Sequence, residues 1–344
     1  ILINSCYGYM GNKNAPIGDD DIASSVTLTG QAVIKYSNKL IKEFIKNSLP
    51  DITDNELEQC IVYNDTDSSY VSITPLVESG LIEFMDGDNI HKQAYDKIQE
   101  IEDYLNEGVK KWAIKSLRTK DSRFVFKREC IADVGVFLQK KRYVMHILDD
   151  EGIKENKFKY TGVEVVRTTM PNAIKPYAKE IIETMLSTQS LSKTNNLLNK
   201  TYDIFKGLSP QELAFVMGVR GYEDYAARSN EFTTAKGMPI HVKSSYFYNL
   251  LLDKLNTGNK YESIGSGDKV RYMYVERPNK YGLDSIGFKY DYPNEFKELF
   301  KPDYDKMFEK ILYQAIERFY DCVGWKIRKP SENVTVELFD LFGK

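Results

Sequence analysis

Apolar residues recur at helical spacing between Ile22 and Asn47, at Ala32, Ile34, Leu40, Ile41, Phe44 and Ile45. This stripe predicts one long amphipathic helix. Asp19, Asp20 and Asp21 stand at its start, where carboxylates favour a helix N-terminus, and Pro50 stops it. The period then changes. Cys60–Tyr63 and Ser69–Ile73 read as two short strands around Asn64-Asp65-Thr66-Asp67, which has the residue chemistry of a hairpin turn. A helix is predicted at about 89–117, then β-rich runs at 123–134 and 141–148 forming a hairpin capped by Asp149-Asp150-Glu151-Gly152. From Pro171 the pattern is mainly helical. Helices are expected at about 172–187, 192–206, 243–256 and 303–321, with a polar, Gly-rich stretch at 218–240 and a β-like run at 268–276. The order of elements predicts an α+β fold in two parts.

Composition bounds this picture. The chain has 344 residues, beyond the size at which one core usually stops growing. Its 42% hydrophobic and 28% charged residues exclude a disordered chain. No run approaches the length of uncharged apolar residues that a membrane span needs, so no membrane partner is expected. Cys6, Cys60, Cys130 and Cys322 are far apart, without a C-x-x-C pair, which excludes a structural zinc site by spacing. Ile1-Leu2-Ile3 reads as the interior of an element, so the chain is expected to be the C-terminal piece of something longer.

Net charge is only −3, yet the bases are segregated. Lys110, Lys111, Lys115, Arg118, Lys120, Arg123, Lys127 and Arg128 are opposed within their stretch by Asp121 alone, and Lys140-Lys141-Arg142-Tyr143 follows. Such a run is either a solvated helix face or one wall of a positive groove for a polyanion. The sharper candidate chemistry is at the hairpin. Asp65 and Asp67 are carboxylates at i, i+2 between buried-looking strands, and so near a low-dielectric core both are expected to need a cation or raised pKa values, a placement that invites hard cations. By itself a D-x-D turn is more often a structural or calcium-binding feature.

Three motifs in order bear on that choice. Asn4-Ser5-Cys6-Tyr7-Gly8, Tyr63-Asn64-Asp65-Thr66-Asp67-Ser68 and Lys140-Lys141-Arg142-Tyr143 resemble the N-S-x-Y-G, Y-G-D-T-D-S and K-K-R-Y motifs of family B DNA polymerases. Gln31 and Gly162-Val163-Glu164-Val165-Val166-Arg167 also look like family positions, and the likeness is nearest to tailed-bacteriophage replicative enzymes. The resemblance implies a fold with residues 1–58 as the end of the fingers and a helix leading into the palm. Residues 59–170 would be a palm with an antiparallel sheet, 171–325 a mainly helical thumb, and 326–344 a tether ending in a clamp-binding peptide. It implies nucleotidyl transfer to a primer 3′ end with two Mg2+ ions, primer–template DNA and dNTPs as substrates, and a viral protein in the cytoplasm of the infected host cell. Residue by residue, Asp65 and Asp67 resemble the catalytic metal ligands, and Glu129 an acid flanking the metal site. Asn4, Tyr7 and Gly8 resemble nucleotide-binding positions. Lys140, Lys141, Arg142, Tyr143 and Arg167 resemble DNA-binding ones. Leu338, Phe339, Leu341 and Phe342 resemble a peptide that docks on the sliding clamp. In the thumb, Lys236–Lys243 reads as a loop or strand.

Two departures matter. Asn64 stands where the family has glycine, a substitution expected to survive because asparagine tolerates a left-handed backbone. The triphosphate-binding lysine would precede Ile1, and the upstream metal-binding aspartate and the exonuclease have no counterpart in these 344 residues. The chain is therefore expected to need the N-terminal part of the polymerase as partner and to be inactive alone. The alternatives are a non-catalytic DNA- and clamp-binding remnant and an RNA polymerase or reverse transcriptase palm. The last places its aspartates side by side, whereas Thr66 separates them here.

Overall fold

The long stripe does form one helix. In the computed structural model, which describes residues 2–12, 14–16, 18–327 and 329–330 (side chains from residue 5), α1 spans Leu2–Met10 and α2 spans Asp20–Ser48. The Asp19 carboxylate caps α2 by accepting the N–H groups of Asp21 and Ile22. After α3 (Asp54–Gln59), β1 (Ile61–Asp65) and β2 (Ser68–Val71) make the expected hairpin. Then come α4 (Thr74–Glu78), a minimal hairpin of β3 (Met85–Asp86) and β4 (Asn89–Ile90), and α5 (Lys92–Ser116). Strands β5 (Cys130–Gln139), β6 (Arg142–Asp150) and β7 (Ile153–Thr161) form a sheet in that order.

The remaining helices are α6 (Lys175–Thr188), α7 (Leu191–Phe205), α8 (Pro210–Leu213), α9 (Tyr222–Ala226), α10 (Ile240–Lys254), α11 (Asn294–Lys297), α12 (Tyr304–Phe308) and α13 (Gln314–Cys322). Strands β8 (Phe215–Gly218), β9 (Lys269–Tyr274) and β10 (Ser285–Phe288) form a second sheet, antiparallel, in the order β10-β9-β8. The fold is α+β. No helix among the described residues is long and apolar enough to cross a membrane.

The chain divides into two compact units: Ile1–Asp133 with Gln139–Lys141 and His146–Lys157, and Val134–Leu138 with Arg142–Met145 and Phe158–Lys344. In the first, Val33, Leu40, Ile41 and Ile45 of α2 bury against Leu105 and Val109 of α5 and against Cys60, Leu76 and Ile82. The two helices approach closely at Gly108, where a Cβ would stand 2.5 Å from Leu40 Cδ1. In the second, α6, α7, α10 and α13 bury Ile181, Leu198, Leu251 and Phe319 in one core with the β9–β10 ribbon. Ser244 Oγ donates to Ile240 O and lies 2.9 Å from Ser285 Oγ, while a Cβ at Gly287 would fall 2.8 Å from Ser244 O.

Several elements differ from the sequence expectation. Of the run expected as β at 123–134, residues 123–129 are irregular and 130–134 open β5; α5 side chains take the backbone bonds of Phe126 and Arg128. Asn106 bonds both the N–H and C=O of Phe126, and Glu102 accepts the Arg128 N–H. The β5–β6 turn is Lys140-Lys141, and Glu151-Gly152 instead joins β6 to β7. Strands β7, β8 and β10 were not anticipated. The stretch Ile240–Lys243 is the opening of α10, not a loop or strand. The expected last helix is α12 and α13 joined by a π-helical turn, Glu309–Tyr313.

Candidate active site

The β1–β2 hairpin turns through two residues. Asp65 pairs with Ser68, Asn64 with Ser69 and Tyr63 with Tyr70, leaving Thr66 and Asp67 at the tip. Thr66 has φ +54°, and the Asp67 N–H donates to Asp65 O at 2.6 Å. The left-handed residue is thus Thr66, and the tolerance argument for Asn64 does not apply. Asn64 lies within extended β1, and its side chain has a different task. Ser69 Oγ is 2.7 Å from Asn64 Oδ1 and 2.9 Å from Asn38 Oδ1, which ties both strands to α2.

Asp67 is exposed at the tip and Asp65 is half-buried. The low-dielectric setting expected for both carboxylates is therefore found for neither. Thr66 Oγ1 donates to Asp65 Oδ1 at 3.1 Å, and Ser68 Oγ donates to Asp65 O. The ammonium of Lys141 stands 3.4 Å from Asp65 Oδ1, and the Lys141 N–H donates to the Tyr63 phenol oxygen at 2.9 Å. The structure therefore brings Lys141, of the exposed Lys140-Lys141 turn between β5 and β6 in the same unit, to Asp65, with Asp67 two residues on at the hairpin tip.

Other predicted positions are placed elsewhere. Glu129 is exposed, and among the described residues no three His, Cys, Asp or Glu side chains converge as a metal-binding set. The hairpin alone supplies two carboxylates and turn carbonyls. That donor set suits Mg2+, which takes one or two protein carboxylates and completes its shell with water and substrate phosphate, and does not make a closed protein cage. Tyr7 is exposed on α1, and a Cβ at Gly8 would meet nothing within 4 Å. Asn4 belongs to α1, but its side chain lies outside the described residues, as do Leu338, Phe339, Leu341 and Phe342.

In the second unit, Tyr143 is buried and stacks on Phe137 with ring centroids 5.0 Å apart. Arg142 and Arg318 both pair with Glu164, and Arg167 donates to Gly162 O. Burial, reinforced by the neighbouring positive charges of Arg167 and Arg318, lowers the Arg142 pKa.

The basic run is only partly a free positive face. Lys111 pairs with Glu107, Lys110 with Asp121, and Arg128 with Asp149. Asp149, which sequence reasoning passed over as a turn residue, is 1% exposed. It accepts the Tyr95 hydroxyl and the Gly152 N–H, both at 2.9 Å. Burial opposes its charge, but these bonds and Arg128 outweigh burial and hold its pKa below the usual carboxylate range.

A model of DNA polymerase family B matches residues 1–100. The chain is 26% identical to the DNA-directed DNA polymerase of Escherichia phage RB69 over 99% of its own length and 38% of that protein. It is 24% identical to the DNA-directed DNA polymerase of Enterobacteria phage T4, over 94% of this chain and 36% of the relative. Its similarity to a DNA polymerase of Pyramimonas orientalis virus is 25% over 87% of this chain and 21% of that protein. The chain thus spans well under half the length of these relatives.

Proposed function

Because the chain belongs to the family B DNA polymerases, we propose that it supplies the palm and thumb of a replicative, DNA-directed DNA polymerase that works with an N-terminal polymerase part. Its substrates would be primer–template DNA and dNTPs. The observation that carries this reading is the Lys141 ammonium 3.4 Å from Asp65 Oδ1 at a turn that also presents Asp67. One spot thereby offers anionic ligands for a cation and a base for a primer phosphate.

Asp65 and Asp67 would hold Mg2+, whose chemistry is to acidify the attacking hydroxyl and steady the leaving pyrophosphate. Of the protein's own groups, Lys140 and Lys141 would bind the primer backbone, and Tyr7 and Gly8 would border the nascent base pair. Residues 171–325 would grip duplex phosphate, setting position but not sequence. The C-terminal Leu338, Phe339, Leu341 and Phe342 would dock on a sliding clamp. A non-catalytic DNA- and clamp-binding remnant is the competing reading.

The test is DNA-binding anisotropy of the chain across a salt series, together with primer extension in the presence of an N-terminal polymerase part. Lys141→Ala should weaken primer–template binding and flatten the salt slope by about one unit. Asp67→Ala should abolish extension and keep DNA affinity within a few-fold. Extension undiminished in Asp67→Ala, or extension by neither protein while both bind DNA, supports the remnant. A wild-type chain that binds no primer–template at low salt overturns both.

A further inference from the structure

We propose that Tyr63 is the positioning residue for Lys141: it holds the lysine's backbone so that the ammonium group reaches the Asp65 end of the hairpin. Tyr63 and Asp65 are at i, i+2 on β1 and so share a strand face. That face meets Lys141 at two points. The phenol oxygen of Tyr63 accepts the Lys141 N–H at 2.9 Å, and Asp65 Oδ1 stands 3.4 Å from Nζ.

The two contacts have different characters. The Asp65 contact is a charge pair whose lysine side chain is 60% exposed, so it is weak and readily exchanged for another partner. The Tyr63 contact is made by a ring fixed on a strand and packed on its cross-strand neighbour Tyr70, centroids 5.4 Å apart. It acts on a backbone with φ +60°. Residues bearing a Cβ seldom adopt that conformation, and they keep it where the surroundings hold them there. When Asp65 turns to a cation, Tyr63 is the contact that keeps the Lys140-Lys141 turn beside the hairpin and leaves Nζ free for a phosphate. This last step rests on the reading of Lys141 as a primer-phosphate contact.

The hydroxyl can be removed without removing the ring. Tyr63→Phe should keep the thermal midpoint, weaken primer–template binding by about three- to tenfold, and lower the salt slope as Lys141→Ala does. Added to Lys141→Ala, it should cause no further loss. Equal losses in the wild-type and Lys141→Ala backgrounds, or no loss in Tyr63→Phe while Lys141→Ala is impaired, overturn the positioning role and leave the DNA-binding reading standing. A Lys141→Ala variant that binds DNA like wild type overturns that reading instead. Amide exchange then decides the positioning role without DNA. The Lys141 N–H should exchange slowly in wild type and faster in Tyr63→Phe, with β1 amides unchanged. Rapid exchange in wild type, or no change in the variant, refutes it.

Discussion

Removing the charge of Asp149 tests how much of the first unit hangs on one buried carboxylate. The side chain is 2% exposed, and Arg128, its charged partner, is 23% exposed. Asp149→Asn keeps the volume but leaves the guanidinium without its counter-charge and turns an amide N–H₂ toward one of the former donors. Breaking a buried pair from one side costs about 3–5 kcal/mol. Because Arg128 retains some solvent, the expected loss is at or just below the lower end of that range, about 2–3 kcal/mol. Arg128→Met strands the more deeply buried partner and should cost more, about 4 kcal/mol. Urea unfolding of both variants, followed by circular dichroism, gives the order.

The pH dependence gives the sign. The folded-state pKa of Asp149 is lowered, so its contribution is complete above the unfolded carboxylate value of about 3.9. It is lost as pH falls through the lower folded-state value. The gap between wild type and Asp149→Asn should therefore be flat from about pH 5 to 8 and close in acid below about pH 4. A gap below about 1 kcal/mol at neutral pH, or one that widens on acidification, refutes the reasoning.

Further outcomes are expected elsewhere. Ser69→Ala removes the hydroxyl between Asn64 and Asn38 and should cost about 1 kcal/mol in chemical unfolding. Gly287→Ala drives a methyl into the Ser244 carbonyl, whereas Gly108→Ala meets only the Leu40 side chain. The first should lose about 3 kcal/mol and the second about 1–2 kcal/mol, and the reverse order in thermal unfolding would discredit the packing argument. Deleting residues 337–344 should leave unassisted extension by the reconstituted polymerase unchanged and remove its stimulation by the cognate clamp, measured on a long primed template.

What was legible in the sequence was whatever repeated. Helix α2 announced itself over many turns through Leu40, Ile41 and Ile45, and the β1–β2 turn through its chemistry. The candidate pair Asp65 and Asp67 stood out by its placement in the turn and by motif order, and the burial expectation was wrong: an exposed Asp67 has no hydrophobic signature to find. Strand β7 was hidden because Lys154, Lys157 and Lys159 interrupt its apolar residues. Strands β8 and β10 have four residues each, too few for a period to develop. Residues 123–129 read as part of a strand because the backbone partners of Phe126 and Arg128, Asn106 and Glu102, are polar side chains on a helix many residues earlier. Asp149 and Tyr63 were missed for a similar reason. Their meaning lies in partners 54 and 78 residues away, a distance that no local pattern spans.

The discontinuous make-up of the first unit bears on the order in which the chain can fold as it is synthesised. That unit recruits Gln139–Lys141 and His146–Lys157 after the chain has already contributed Val134–Leu138 to the second. Tyr95 and Arg128 leave the ribosome before Asp149 exists to receive them. Lys141 likewise follows its partner Tyr63 by 78 residues. Until residues 140–149 are free, α2 and α5 can pack, but the turn that faces Asp65 and the carboxylate that neutralises Arg128 are still missing. A nascent chain halted before residue 149 should accordingly contain a helical, protease-sensitive core, with protection at Tyr95 and Arg128 arriving only when synthesis passes β6.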